Sequence, residues 1–346
     1  MKKILDKLIS TNDLTKDELV YVLDNLNDEW REYIFKHSKE AKERHYGNTV
    51  YMRGLIEISN YCKQNCSYCG IRRDNKNVDR YRLNPDTILQ CTDIGYKLGY
   101  RTFVLQGGED NYYTDELLVD LIKNIKIKHP DSAITLSLGE RSYDSYKKLY
   151  EAGADRYLLR HETATREIYD SLHPGMSYDN RRKCLTQLKE IGYQTGAGFM
   201  VGLPNQDNPA LADDLLFLKE LKPHMIGIGP FIPHPATPIG ECTGGTVVDT
   251  MVMLSLTRLL LPDVLLPSTT ALGTLDPKGR EKALSVGANV VMPNLSPVSV
   301  REKYELYKDK ICTGDEAAHC RKCIEGRINS VGYVVDMGRG DHISMQ

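Results

Sequence analysis

The stretch Leu55-Ile56-Glu57-Ile58-Ser59-Asn60-Tyr61-Cys62-Lys63-Gln64-Asn65-Cys66-Ser67-Tyr68-Cys69 joins a short apolar run to three cysteines spaced C-x3-C-x2-C. The run reads as a β-strand and the cysteines as the loop at its end. Three thiolates can wrap one cubane iron-sulfur cluster and leave its fourth iron without a protein ligand. The four-cysteine ferredoxin run instead closes the coordination and leaves electron transfer as the only task. An open iron can bind substrate. The rival is structural zinc, which wants four N or S ligands; no fourth Cys or His follows at zinc-finger spacing, and His45 lies on the other side of the strand.

Outward from this strand the chain alternates. Short β-branched runs near 53–58, 102–105, 133–137, 156–160, 195–201, 225–229, 265–269 and 288–292 interleave with amphipathic stretches near 86–98, 114–127, 141–152, 179–191, 209–220, 247–260 and 276–286. This is the pattern of repeated β-α units. The strand number favours an α/β fold closed as a full (β/α)8 TIM barrel, with the active site at the C-terminal strand ends. A partial barrel of six units is the alternative if the last two runs are misread. Residues 1–48 read as an N-terminal helical cap, with Leu19, Val22, Leu23 and Leu26 at helical spacing and a cap offered by Thr11-Asn12-Asp13-Leu14. The barrel then spans 49–297, and 298–346, where the alternation is lost, forms an irregular C-terminal extension.

A chain of 346 residues suits one barrel plus appendages, because such barrels run to about 250 residues as a single unit. Lys+Arg 45 against Asp+Glu 47 gives a formal charge of -2, which suggests neither nucleic acid nor an anionic membrane as partner. Met1-Lys2-Lys3-Ile4-Leu5-Asp6-Lys7 turns charged before an apolar leader can develop, and no run of about 20 apolar residues occurs, so a soluble, cytoplasmic protein is expected. The nine cysteines are odd in number and six sit in two tight triplets, which fits metal ligation in a reducing compartment better than disulfides.

In a barrel, chemistry gathers where strands hand over to loops. The second strand ends in Gln106-Gly107-Gly108-Glu109-Asp110, where paired glycines expose backbone groups beside carboxylates; a plain glycine turn is the rival. The third ends in Thr135-Leu136-Ser137-Leu138-Gly139-Glu140. The fourth ends in Arg160-His161-Glu162-Thr163, whose carboxylate can accept bonds from ribose hydroxyls, while His161, with no visible partner, reads as a packed histidine. Arg181 opens a helix and can fork onto a carboxylate, or be solvated as Arg182 beside it is. The fifth strand ends in Gly198-Phe199-Met200-Val201-Gly202-Leu203-Pro204, and prolines 230, 233 and 235 stiffen the loop after the sixth. The last two end in Pro267-Ser268-Thr269-Thr270-Ala271 and Met292-Pro293-Asn294, whose hydroxyls could join Arg156 in a carboxylate site.

The cysteine spacing, with Tyr68 before the last cysteine, resembles that of the radical S-adenosylmethionine (SAM) enzymes. In that superfamily SAM chelates the open iron and one electron splits its sulfonium to give a 5′-deoxyadenosyl radical. Gly107-Gly108-Glu109 resembles the element that holds the SAM amino group, and Gly198 to Pro204 the adenine-contacting segment. More specifically, Ile58-Ser59-Asn60, Gly70 to Asn77, Tyr157 to Ala164 and Gly227 to Pro238 resemble the E maturases of FeFe-hydrogenase, the HydE family, over nearly the whole chain.

That resemblance implies a 4Fe-4S cluster on Cys62, Cys66 and Cys69, and SAM contacts from Tyr68, Gly107, Gly108, Glu109, Ser137, Glu162, Arg181 and Met200. It implies a substrate or anion cavity lined by Arg156, Thr269, Thr270, Ala271, Met292 and Tyr304, and it names no catalytic residue. The implied task is assembly of the hydrogenase's organometallic diiron subcluster. The adenosyl radical attacks the sulfur of a cysteine-bound iron carbonyl cyanide precursor made by the G maturase, and the G and F maturases are implied partners. The second triplet, Cys312, Cys320 and Cys323, matches a peripheral Fe-S cluster found in some members, which this reading sets far from the cavity mouth and outside catalysis; free thiols or zinc are its rivals.

Two other enzymes and one non-enzyme compete. Biotin synthase draws sulfur from an auxiliary cluster on inner strands, where this chain has Thr135, Ser137 and Thr195; Cys91, Cys184 and Cys242 fall on expected helices or loops. Methylornithine synthase, an amino-acid mutase, shares the Glu-Thr pair and the following arginine but has no C-terminal triplet of this kind. A non-catalytic cluster scaffold would leave Gly107-Gly108-Glu109 and Arg181 without purpose.

Overall fold

Runs such as Gly54–Ser59, buried along nearly their whole length, suit parallel strands covered on both faces. The computed structural model describes residues 1–345. Its strands are β1 (Thr49–Met52), β2 (Gly54–Ser59), β3 (Thr102–Gly107), β4 (Ala133–Ser137), β5 (Arg156–Leu158), β6 (Gln194–Ala197), β7 (Met200–Val201), β8 (Met225–Ile226), β9 (Gly229–Pro230), β10 (Val290–Val291) and β11 (Val334–Asp336). Six form one sheet in the order β2-β3-β4-β5-β6-β8, all neighbours parallel. Beyond β8, single parallel bridges link Met225 to Leu265, Pro267 to Val290, and Leu55 to Asn294. β1 lies between β10 and β11. The fold is therefore α/β, a parallel sheet whose strands all end on one edge.

Two expected strands are broken. The run 195–201 splits into β6 and β7, and 225–229 into β8 and β9, with β7 and β9 pairing separately. The two bends touch: a Cβ on Gly198 (φ 153°) would lie 2.0 Å from the Gly227 carbonyl oxygen, so the backbones meet where a side chain has no room.

Helices Pro85–Lys97, Asp115–Lys128, Tyr143–Glu151, Tyr178–Ile191, Asn208–Leu221 and Val247–Leu260 each start on a side-chain cap, from Asn84, Thr114, Ser142, Ser177, Asp207 and Thr246. Three further helices, Lys2–Thr11, Lys16–Asp24 and Asp28–Tyr46, precede β1. Thr15 and Glu18 form the capping box of the second, and Asn12, left-handed at φ 54°, ends the first, so the stretch Thr11 to Leu14 stops a helix rather than starting one. The third packs along Val247–Leu260 and reaches the N-terminal side of β10, where the Ser38 hydroxyl donates to the Val286 carbonyl at 2.6 Å.

Beyond residue 298 the chain is not irregular. Ala317, Cys320, Ile324 and Ile328 are buried at helical spacing along Ala317–Ser330, and β11 pairs in parallel with β1. A further helix, Arg166–Leu172, follows β5 at a place where no helix is expected. Among the described residues no helix is long and apolar enough to cross a membrane.

Candidate functional site

A cavity of about 370 Å³ opens where the strands end. Cys62, Cys66 and Cys69 border it, together with Tyr68, Gly107, Gly108, Glu109, Ser137, Glu162, Arg181, Met200, Thr269, Thr270, Ala271, Met292 and Tyr304. Arg156 does not. It is the first residue of β5 and so sits at the opposite end of the strands, fully buried, with Nη2 donating to Asp341 Oδ1 at 2.5 Å and Nη1 to Thr102 Oγ1 at 3.1 Å. Its assignment to the cavity is corrected: from the start of β5 its guanidinium reaches the C-terminal segment, at Arg339 and Asp341, and not the mouth.

The cysteine loop is held from both sides. Lys63 N–H donates to the Glu109 carbonyl at 2.9 Å and Ser67 N–H to the Leu172 carbonyl at 2.8 Å. A Cβ on Gly108 would stand 2.2 Å from the Tyr61 carbonyl oxygen and 2.8 Å from Cys62 Cβ, so only glycine lets the β3 loop close on the cysteines. All three thiols are unpaired. Burial pushes each one up, and the neighbouring thiols add to it at Cys66 and Cys69, so that Cys66 stands at about 12. Thiols that resist ionisation in such a pocket lose their protons to a bound metal. A cubane takes each thiolate on a separate iron, and three cysteines bordering one cavity are donors of the right chemistry for it.

Charged groups ring the cavity next to it. Glu109 Oε2 accepts from Gln64 Nε2 at 2.6 Å and Oε1 from the Glu140 amide at 2.9 Å. Glu162, left-handed at φ 68°, is steered by Arg160, whose Nε and Nη2 both reach Oε2, at 3.0 and 2.5 Å. Arg181 donates from Nε to Glu140 Oε1 at 2.6 Å and from Nη1 to the Arg160 carbonyl at 2.5 Å, which leaves Nη2 for a ligand. Across the rest of the wall, Thr269 Oγ1 is buried without a hydrogen-bond partner, an orphan that a polar ligand would satisfy. Lys310 Nζ pairs with Glu57 Oε1 at 2.5 Å, and Gln106 Nε2 donates to the Tyr304 hydroxyl at 3.3 Å.

Several bordering residues carry no signal in the sequence. Arg160, Met176, Glu57, Lys310 and Arg280 line the cavity, and His173 anchors Tyr68 at 3.2 Å. Glu57 meets Lys310, and His173 meets Tyr68, across long stretches of chain, so no local spacing marks these pairs. His161 is the packed residue expected, with Nε2 3.2 Å from the buried Asp214. The second triplet is nearer than expected. The pocket bordered by Cys312, Cys320 and Cys323 shares Thr270, Arg280 and Lys310 with the main cavity. Cys91 and Cys184 lie on helices, and Cys242 lies in a loop.

The Radical SAM superfamily model matches residues 56–218. The chain is 47% identical to the [FeFe] hydrogenase maturase subunit HydE of Thermotoga maritima over 332 residues, 96% of this chain and 94% of that protein. It is 28% identical to the 3-methylornithine synthase of Methanosarcina acetivorans over 83% of this chain and 81% of that one. Among solved structures, methylornithine synthase (PylB) superposes with a TM-score of 0.82 at 24% identity over 96% of this chain and 97% of that chain. The maturase HydG superposes with 0.82 at 22% identity over 97% and 75%. Both likenesses concern the fold.

Proposed function

The chain belongs to the HydE family of radical SAM enzymes, and on that premise we propose that it acts on an organometallic precursor of the FeFe-hydrogenase diiron subcluster. The proposal includes a full (β/α)8 barrel over 49–297, a helical cap over 1–48, a C-terminal extension over 298–346, a cytoplasmic location and the G and F maturases as partners. When bound, the 4Fe-4S cluster and SAM supply an adenosyl radical, whose target in this reading is the sulfur of a cysteine-bound iron carbonyl cyanide unit.

The chain's own residues supply binding, orientation and dryness. Cys62, Cys66 and Cys69 hold the cluster, and Tyr68, fixed by His173, keeps their loop in place. Glu109 takes the SAM ammonium, with Gly107, Gly108 and Ser137 beside it. Arg181 offers Nη2 to the SAM carboxylate, and Glu162 offers the ribose the oxygen that Arg160 leaves free. Met200 lies against the adenine. Thr269, Thr270, Ala271, Met292 and Tyr304 receive the substrate, and apolar neighbours such as Leu55, Ile71 and Phe231 exclude water and stray hydrogen donors.

The observation that carries the reading is that one cavity is bordered both by three partly buried thiols and by an unsatisfied hydroxyl, Thr269 Oγ1. The test is anaerobic maturation of apo-hydrogenase by the other maturases with and without this protein. Activity should require it, Cys66→Ala should abolish the effect, and Cys320→Ala should leave most of it. Intact SAM after reduction would mean a scaffold, and methylornithine formed from added lysine would mean a mutase.

A further inference from the structure

Two sulfurs of the second triplet each have an arginine bonded to them, and the third has one beside it. Arg280 Nη2 lies 3.4 Å from Cys312 Sγ and Arg301 Nη1 lies 3.6 Å from Cys320 Sγ, while Arg327 follows Cys323 by one turn of the helix Ala317–Ser330. Arg280 and Arg301 are both buried. Arg301's other bonds go to the Ser296 and Asp315 carbonyls, and Arg280's to the Thr270 hydroxyl, so neither guanidinium is neutralised by a carboxylate it touches. Glu57, whose charge reaches Arg301, is held by Lys310 at 2.5 Å, and Arg327 shares its charge with Glu281 at 2.9 Å.

Two buried, uncompensated cations in a protein are costly unless anions face them. Each of these guanidiniums has a cysteine sulfur within bonding distance to take that role. Cys312 adds a second sign of construction: it is held left-handed at φ 67°, which an L-residue adopts at a cost and keeps only where its surroundings fix it. Cys320 and Cys323 stand one turn apart on the helix Ala317–Ser330, on one face. The first triplet is built differently. Cys66 Sγ has the Met176 thioether at 4.0 Å as its side-chain neighbour, and no guanidinium donates to Cys62, Cys66 or Cys69 among the described residues.

We propose that Arg280 and Arg301 make the second triplet a charge-matched thiolate site whose iron-sulfur centre has a reduction potential above that of the cluster on Cys62, Cys66 and Cys69. Reduction adds a negative charge to the centre, and nearby cations that bond its sulfurs favour the reduced form. Such a centre retains its electron instead of passing it to the SAM-side cluster. The inference rests on the reading of this triplet as a cluster site. Because Arg280 also bonds Thr270 on the wall of the main cavity, at 3.1 Å, this guanidinium is the one shared between the two sites.

The experiment loads two forms anaerobically with iron and sulfide: the full chain, and a Cys62→Ala, Cys66→Ala, Cys69→Ala variant in which only the second triplet can hold a cluster. EPR-monitored redox titration reads each midpoint, with bound iron and circular dichroism followed alongside. The midpoint of the second site should lie above that of the first. Arg280→Gln and Arg301→Gln should lower it, or strip the iron with the fold intact, and Arg280→Lys and Arg301→Lys should restore most of the effect. Arg327→Gln, on a partly exposed side chain and least able to disturb folding, should lower it too. Unchanged midpoints at full iron content would overturn the inference alone. A triple variant that takes up no iron would overturn the cluster reading beneath it.

Discussion

His173 is held by two bonds whose senses are fixed. Its Nδ1 faces the Tyr169 carbonyl at 3.0 Å and must donate. Burial pushes its pKa down to about 3, so the ring is neutral at pH 7, and Nε2, which then carries no proton, accepts from the Tyr68 hydroxyl at 3.2 Å. Unfolded, it returns to the ordinary histidine value near 6.5. The folded pKa is the lower one, so this contribution to stability is full above about pH 6.5 and is lost as pH falls toward 3, at about 1.4 kcal/mol per pH unit. In urea denaturation of the metal-free protein, the gap between wild type and His173→Gln should narrow from pH 7 to pH 5. His161 and His224 shift the same way in both chains and cancel; parallel pH dependences would count against the tautomer argued here. The same contact explains what the sequence discloses at this scale. The cysteines declare themselves because three ligands lie within eight residues, whereas His173 meets Tyr68 across a separation of 105 residues and has no local signature.

Among the elements, the short helix Arg166–Leu172 connects packing to the site. Leu172 is buried with Ile168, Met200, Leu203, Ala210 and Phe231, and its carbonyl accepts from Ser67 N–H inside the cysteine loop. Leu172→Ala should cost about 2–5 kcal/mol, as other large-to-small core changes do, and should also speed the loss of iron to a chelator. Leu118→Ala, in the larger core under the sheet, is the comparison: similar destabilisation without faster iron release. Equal release from both would mean that the helix only packs. This helix is illegible in the sequence because it has seven residues, too few for an apolar period to stand out. Helices such as Asp115–Lys128 and Tyr178–Ile191 are legible because a capping residue and an amphipathic stripe coincide, whereas Ala317–Ser330, as long but without a side-chain cap, is not. The splits at Gly198 and Gly227 are not, since the contact that forces them joins two strand ends.

Across the whole molecule, the C-terminal segment closes the strand edge opposite the cavity. Asp341 Oδ1 accepts from Arg156 at 2.5 Å and from Gln194 Nε2 at 2.7 Å, and Oδ2 accepts from Arg339 Nε at 2.8 Å. The Gly340 carbonyl takes Arg53 Nη2 at 2.9 Å. Arg156 is thus a structural arginine, read wrongly as a ligand because a strand's sequence gives its residues but not which end faces the site. With Arg156 at 0% exposure, Asp341→Asn strands a charge in low dielectric and should cost about 3–5 kcal/mol. The double variant Arg156→Met, Asp341→Asn should recover a large part of that loss, because it removes the stranded charge along with its partner. Asp341 is held at about 2, with Arg156 the largest of the effects that outweigh its burial, so its contribution is full above the ordinary aspartate value and fades as pH falls toward 2. Chemical denaturation of the wild type, Arg156→Met, Asp341→Asn and the double variant gives the coupling energy, while iron uptake by Cys62, Cys66 and Cys69 at the other strand ends should stay at the wild-type level. A coupling near zero would show that the C-terminal segment covers this end without holding it.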